Sequence, residues 1–410
     1  MQTNLADWIK DTPDGREADA ILRKCVHCGF CTATCPTYQL LGDELDGPRG
    51  RIYLMKQMLE GAEVTRKTQI HLDRCLTCRN CETSCPSGVQ YGRLVDIGRK
   101  LVGERVDRPL AERIERRAIS EFFRRAPVFD ALLKLGSLAR PFIPAPLGNK
   151  VPTSIADPGP WPAPRHARKM IALGGCVQPA AAPDTNAAAA RVLDRIGISL
   201  IEAPHAGCCG ALRFHLDYQD AGRDDMRALI DAWWPLVESG AERIVMTASG
   251  CGVTVKEYAH LLARDPRYAS KAERISAMTR DLCEVLAEEL PQLAPLVVQK
   301  RARKVAFHPP CTLQHGQSIK GVTERILVQA GFHLTPVEDA HLCCGSAGAY
   351  SILQPELAEQ LKKNKLAALQ SGAPDLILTS NIGCQTHLAG GARLPVKHWI
   401  VALEERLATR

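Results

Sequence analysis

The sequence predicts an α + α/β protein: an all-helical N-terminal unit organised around cysteines, then a duplicated, cysteine-rich α/β unit. Three observations predict it. Two cysteine runs of identical spacing, Cys25-x2-Cys28-x2-Cys31-x3-Cys35-Pro36 and Cys75-x2-Cys78-x2-Cys81-x3-Cys85-Pro86, are separated by helical rather than alternating apolar periodicity. A proline-rich stretch comes next. Beyond it, one pattern of short apolar runs, helical segments and cysteines occurs twice. The expected division is residues 1–110 for the helical unit, 111–168 for a helical segment and proline-rich linker, 169–290 for the first repeat and 300–405 for the second.

Each N-terminal run resembles the cysteine run of bacterial two-cluster ferredoxins. Three cysteines at steps of three residues line a tight loop around one [4Fe-4S] cube, while the fourth, after a longer gap, points to the other cube. In this cross-ligated arrangement Cys25, Cys28, Cys31 and Cys85 hold one cluster, and Cys75, Cys78, Cys81 and Cys35 hold the second. The proline after each fourth cysteine is expected to stop a helix. Zinc is the alternative metal, but zinc sites pair cysteines as two separated Cx2C arms. A disulfide scaffold fits a long chain without an export signal poorly.

Composition bounds the rest. The chain has 410 residues, 45% of them hydrophobic, enough to bury ordinary cores in two or three domains. Its 17 cysteines call for metal or redox chemistry. No basic segment followed by an apolar run opens the sequence, and no stretch approaches the ~20 apolar residues of a membrane-spanning helix. The expected location is the cytoplasm, with any attachment peripheral, on the cytoplasmic face of the inner membrane. The net charge of +7 is spread among acids, as in Glu112-Arg113-Ile114-Glu115-Arg116-Arg117, and aromatics make up only 5%. Nucleic acid is therefore not an expected partner.

In chain order, Glu17–Lys24 reads as a helix delivering Cys25. Ile52, Met55, Met58 and Leu59 recur at helical spacing after Pro48, with Gly61 placed to end that helix. Helices between the motifs indicate the α-helical type of ferredoxin, with the two methionines as core filling. A further helical segment runs from about Arg93 to Leu138. Pro141, Pro144, Pro146, Pro152, Pro158, Pro160, Pro162 and Pro164 then form a semi-rigid linker.

The second half matches itself. Lys169-Met-Ile-Ala-Leu-Gly-Gly-Cys176 corresponds to Lys304-Val-Ala-Phe-His-Pro-Pro-Cys311, His205-Ala-Gly-Cys208-Cys209-Gly210 to His341-Leu-Cys343-Cys344-Gly345, and Ile244 to Cys251 corresponds to Ile377 to Cys384. Thirty-one residues separate the first cysteine from the vicinal pair in both copies. Met170–Leu173, Ile198–Ala203 and Ile244–Thr247 read as strands, and Ala187–Ile196 and Met226–Val237 as helices, an alternation that implies parallel sheet. Each cysteine then falls beyond the carboxyl end of a strand, where open α/β sheets place their ligands. Cys176, Cys208, Cys209 and Cys251 would converge in one crevice, and Cys311, Cys343, Cys344 and Cys384 in another, as candidate metal or cluster ligands or as reactive thiols. Gly210 and Gly345 come directly after the vicinal pairs, where backbone must pass something bulky. Cys283 has no repeat partner and reads as core. His205, His308, His341 and His387 could donate hydrogen bonds to the sites or ligate a cluster, but read as structural residues, since imidazole ligation is the minority pattern in iron–sulfur centres.

The runs around Cys25 and Cys75, with Gly47-Pro-Arg-Gly-Arg-Ile-Tyr between them and Cys343-Cys-Gly-Ser-Ala-Gly and Asn381-Ile-Gly-Cys-Gln-Thr-His near the end, resemble the family of glycolate oxidase iron–sulfur subunits over nearly the whole chain. The second half also resembles the cysteine-rich CCG domains of the heterodisulfide reductase and anaerobic glycerol-3-phosphate dehydrogenase groups. Those domains often end in a Cx2C pair; here Ala248 and Asn381 replace its first member, which argues against a five-thiol noncubane cluster. The resemblance implies an electron-transferring component of an oxidoreductase complex. FAD-binding subunits would oxidise glycolate to glyoxylate and this chain would relay electrons toward a quinone or other acceptor. The alternatives are the equivalent subunit of a lactate or glycerol-3-phosphate dehydrogenase, and a thiol–disulfide catalyst working in the crevices. No GxGxxG after a strand and no P-loop is present, and Gly345-Ser-Ala-Gly348 is only a fragment, so substrate chemistry is expected on partner chains and no catalytic residue is assigned here.

Overall fold

The computed structural model describes residues 1–139, 155–298 and 300–408. Pro141, Pro144, Pro146 and Pro152 of the expected linker lie outside the described residues; Pro158 to Pro164 run as chain without helix or strand.

The N-terminal unit is helical throughout. Thr12 caps the helix Pro13–Lys24 by accepting from the Gly15 amide at 3.0 Å, and the chain turns out of this helix at Cys25. Pro48–Leu59 buries Ile52, Met55, Met58 and Leu59 against Tyr91–Gly103, and Gly61 comes after it at φ +97°. Gly98 permits this approach, because a Cβ there would stand 2.4 Å from Met55 Sδ. One expectation changes: Pro36 does not stop a helix but opens one, at the first position of Pro36–Leu41, where a missing amide hydrogen costs nothing. The single helical stretch expected from Arg93 to Leu138 is three helices, Tyr91–Gly103, Leu110–Phe122 and Ala126–Ala139. The break at Asp107-Arg108-Pro109 arises from proline, which disfavours helix in the residue before it.

Each half of the repeat is a four-stranded parallel sheet. The first contains β1 (Arg168–Ala172), β2 (Ile198–Glu202), β3 (Arg243–Met246) and β4 (Thr279–Asp281), in the order β2-β1-β3-β4. The second contains β5 (Arg303–His308), β6 (Phe332–Leu334), β7 (Leu376–Thr379) and β8 (Val396–His398), in the order β6-β5-β7-β8. The central strands are the most apolar, as sheets covered on both faces require.

The two sheets share one core. Helix Asp184–Arg195 of the first repeat packs on Trp399–Glu404 of the second, and Leu282–Glu288 of the first packs on Val322–Gln329 of the second. Each repeat thus lends the helix directly after its fourth strand to the other. Both lent helices are capped at the strand end: Asp281 forms a reciprocal capping box with Glu284, and His398 Nδ1 accepts from the Ile400 amide. Cys283 is completely buried in this shared core. No helix among the described residues is long and apolar enough to cross a membrane.

Candidate iron–sulfur loops and thiol crevices

The two N-terminal motifs fold into matching loops. Two residues past the first cysteine (His27, Thr77) and one past the second (Gly29, Arg79), the backbone takes positive φ in both, from +52° to +85°. Three of these four residues carry a Cβ. Their left-handed conformation costs about 1–3 kcal/mol each and is typical of functional loops. Cys25, Cys28, Cys31 and Cys85 line one small pocket, with Cys81 on its wall. Burial, then the neighbouring Cys25, Cys85 and Cys28, push the Cys31 thiol up to about 11. Cys35 turns the other way and neighbours Cys78 and Cys81; burial pushes both thiols well up, reinforced at Cys78 by Cys311, Cys35 and Cys75 and at Cys81 by Cys78, Cys75, Glu82 and Cys35. The structure therefore brings each motif's fourth cysteine to the other motif's loop. Four thiols gathered in each loop are the donor set of an iron–sulfur cube, so both sets suit iron as a group of four sulfur donors.

The loops differ in exposure. Cys28 is exposed, flanked by Val26 at 67% and Phe30 at 62%. The Cys75–Cys81 loop lies inside the molecule on a bed of arginine. Arg99 donates to the carbonyls of Leu72 and Cys75 and to Thr77 Oγ1, and Arg51 donates to the His71 carbonyl, Thr37 Oγ1 and Asp46. Cys75 Sγ accepts from the Thr77 amide at 3.4 Å and from Tyr91 Oη at 3.6 Å. Asp46, fully buried, balances part of this charge through Arg51, Arg74 and His71. Sequence reasoning missed Arg51, Arg99 and Tyr91. Arg51 stood in the Gly47-Pro-Arg-Gly-Arg run, but no spacing rule points its guanidinium beneath a loop that begins 24 residues later.

In the C-terminal half, strand order explains the cysteines. Chain direction across each sheet reverses between its two central strands, and ligands bind in the crevice outside that point. Cys176 comes after β1 and Cys251 after β3, with Cys208 and Cys209 beyond β2. Likewise Cys311 comes after β5, Cys384 after β7, and Cys343 and Cys344 lie beyond β6. Cys251 and Cys384 are each the third residue of a helix, Ser249–Lys256 and Ile382–Ala389. Cys311 Sγ and Cys343 Sγ are 3.8 Å apart. The hydrogen bond with Cys343, then burial, pushes the Cys311 thiol well up.

Glycine is required after both vicinal pairs. Gly210 and Gly345 sit at φ +81° and +91°, and a Cβ would lie 2.5 Å from the Gly222 carbonyl oxygen and 2.7 Å from that of Ala358. Both crevices open on one cavity of about 1780 Å³, which Cys75 and Cys78 also line. Cys78, Cys311 and Cys343 pack in one cluster with Leu76 and Tyr350, so the inner ferredoxin-type loop abuts the second crevice.

Of the four histidines, His205 is exposed, while the ring of His387 faces the Ala358 carbonyl and the backbone of His341 accepts from Asn80 and His315. His308 does not fit the structural role expected of it. It is 1% exposed, neither ring nitrogen has a hydrogen-bond partner, and burial pushes its pKa well below the ordinary imidazole value.

Comparison with known proteins accounts for both halves. Residues 21–89 match the model of the 4Fe-4S dicluster domain, and residues 172–256 and 305–389 match that of the cysteine-rich domain. The chain is 56% identical to the glycolate oxidase iron–sulfur subunit of Escherichia coli (strain K12), over 99% of both chains. It is 29% identical to the probable glycolate oxidase iron–sulfur subunit of Bacillus subtilis (strain 168), over 88% of this chain and 87% of that one. Lactate utilization protein A of Geobacillus kaustophilus is 25% identical over only 50% of this chain and 82% of its own length. With both ferredoxin-type loops, both cysteine-rich units and full-length identity accounted for, this chain belongs to the family of glycolate oxidase iron–sulfur subunits.

Proposed function

We propose that this chain is the electron-transferring subunit of a glycolate oxidase, taking electrons from flavin-bearing partner subunits that oxidise glycolate to glyoxylate and passing them toward a quinone. The observation that carries this reading is the pairing of the two loops. Cys25, Cys28, Cys31 and Cys85 are the ligands of one [4Fe-4S] cluster, and Cys75, Cys78, Cys81 and Cys35 are those of the other. Bound there, such clusters supply single-electron storage, which lets a two-electron flavin be emptied in steps.

The chain's own residues divide the work. The exposed loop at Val26 to Phe30 leaves the Cys28 side of the first site open to a partner. Buried Arg51 and Arg99, with the hydrogen bonds to Cys75 Sγ, add positive potential to the second site and favour its reduced state. Substrate chemistry belongs to the flavin subunits. Attachment to the cytoplasmic face of the inner membrane would be peripheral or through a partner.

Replacing Cys78 by serine tests the reading. In the assembled complex, stopped-flow spectroscopy should show flavin reduction by glycolate at the wild-type rate, while onward reduction of a quinone or dye falls by about tenfold or more, as loss of a ligand group implies. Equal loss of both steps would contradict a relay.

A further inference from the structure

His308 ends β5 at the carboxyl edge of the second sheet. Both ring nitrogens are buried and unpartnered, an arrangement that costs stability unless something binds them. One of these nitrogens, Cys344 Sγ and Cys384 Sγ all lie within 4.8 Å of one another. Donors around one tetrahedral ion, at roughly 2.0–2.3 Å from it, stand roughly 3.3–3.8 Å apart. The thiolates of a cube each bind a different iron and spread wider, so this grouping fits a single ion better than a cluster. Cys343, buried and adjacent to Cys344 in the chain, is the thiol that would complete a set of four donors.

The surroundings are those of metal-bound thiolates. Asn381 Nδ2 donates to Cys384 Sγ at 3.6 Å, and the Gly345 amide donates to Cys343 Sγ at 3.4 Å. Lys365, 3% exposed, stands in electrostatic contact with Cys344 and Cys343 and offsets the net negative charge of a divalent ion bound by three thiolates. The first crevice has no such imidazole, because Leu173 occupies the place of His308 in the repeat.

We propose that His308, Cys344, Cys384 and Cys343 form a closed tetrahedral site for one zinc ion in the second crevice, and that the first crevice, with thiols alone, does not share it. A mixed sulfur and imidazole donor set in a buried pocket is the chemistry of structural zinc. The site uses none of the eight thiolates assigned to electron transfer.

Metal analysis of the full-length chain, purified anaerobically in its complex, tests this together with zinc-edge X-ray absorption. The expected result is one zinc per chain beyond the iron of the N-terminal loops, with one imidazole nitrogen and three sulfurs around it. His308→Leu should lower the zinc by about tenfold while iron and visible absorbance persist, and Cys251→Ser should leave zinc unchanged. Wild-type protein without zinc, an all-sulfur zinc shell, or zinc retained above half occupancy in His308→Leu would each overturn the proposal. Because the wild-type absorption spectrum reads the donor set directly, a variant that fails to fold does not shelter it. Failure of the relay would instead appear as missing N-terminal iron or missing glycolate-dependent reduction, with the zinc count unaffected.

Discussion

Tyr91 shows how a single side chain reaches an electron-transfer site. Its buried hydroxyl donates to Cys75 Sγ, so it stabilises whichever oxidation state puts more negative charge on that sulfur. Removing the hydroxyl in Tyr91→Phe deletes one hydrogen bond, about 1 kcal/mol. That is at most roughly 40 mV for a one-electron couple, because only the difference in the bond's strength between the two oxidation states moves the potential. Redox titration followed by electron paramagnetic resonance should show one potential falling by this order while the other holds; two unchanged potentials would contradict the assignment of Cys75 as a ligand. At this scale the cysteines were legible from spacing alone, because their geometry is written into three- and four-residue steps. Arg51, Arg99 and Tyr91 were not, since each meets its site through a tertiary contact that no local pattern encodes.

Among the elements, the turns after the vicinal cysteines are the most constrained. Gly345→Ala combines a left-handed alanine with a Cβ 2.7 Å from the Ala358 carbonyl oxygen, so the helix Pro355–Gln370 must shift. We expect a loss of about 2–3 kcal/mol, read as a lower midpoint of thermal unfolding. Gly42→Ala is the control. Gly42 has φ +67° but nothing within 4 Å of its would-be Cβ, so the cost should stay near 1–2 kcal/mol, that of the conformation itself. Similar losses at both sites would remove close packing as the reason for glycine after the cysteine pair. The five-residue strands β1 and β2 could be read from their apolar runs, whereas β4 and β8, three residues each with one apolar residue between them, could not. Pro36 illustrates another limit: a proline marks a helix boundary, but whether it closes one helix or opens the next depends on the helix-forming tendency of the residues on its carboxyl side.

Across the molecule, a charged seam joins the helical unit to the first repeat. Asp73, two residues before Cys75, binds Arg108 and Arg116, and Arg108 also reaches Asp217 at 3.2 Å. Arg108 and Arg116, ahead of the proline-rich stretch, therefore clamp the helical unit to the first repeat. Burial alone would raise the Asp73 carboxyl, but Arg108 and Arg116 outweigh it and hold it below its ordinary value of 3.8. A carboxylate depressed in the folded state contributes fully above that ordinary value, and the contribution is lost as pH falls through the folded value. Asp217 shifts upward through burial, so it does not add to this acid sensitivity. Asp73→Asn should lower stability at pH 7 by about 3–5 kcal/mol and flatten the acid limb of a plot of unfolding midpoint against pH. An unchanged acid limb would place the acid sensitivity elsewhere. The repeat and its two sheets were visible in the sequence because duplication preserved cysteine spacing. The exchange of helices between repeats and the docking of Cys78 against the second crevice were not, because both are set by packing between distant segments.

The central claim is that eight N-terminal thiolates bind two iron cubes through which glycolate-derived electrons leave the flavin. Iron and acid-labile sulfide, counted on anaerobically purified complex and followed by electron paramagnetic resonance before and after glycolate, test it most directly. The account predicts about eight irons per chain in these loops and cluster signals that appear on adding glycolate. Iron-poor, colourless protein in a complex that still oxidises glycolate at full rate would contradict it.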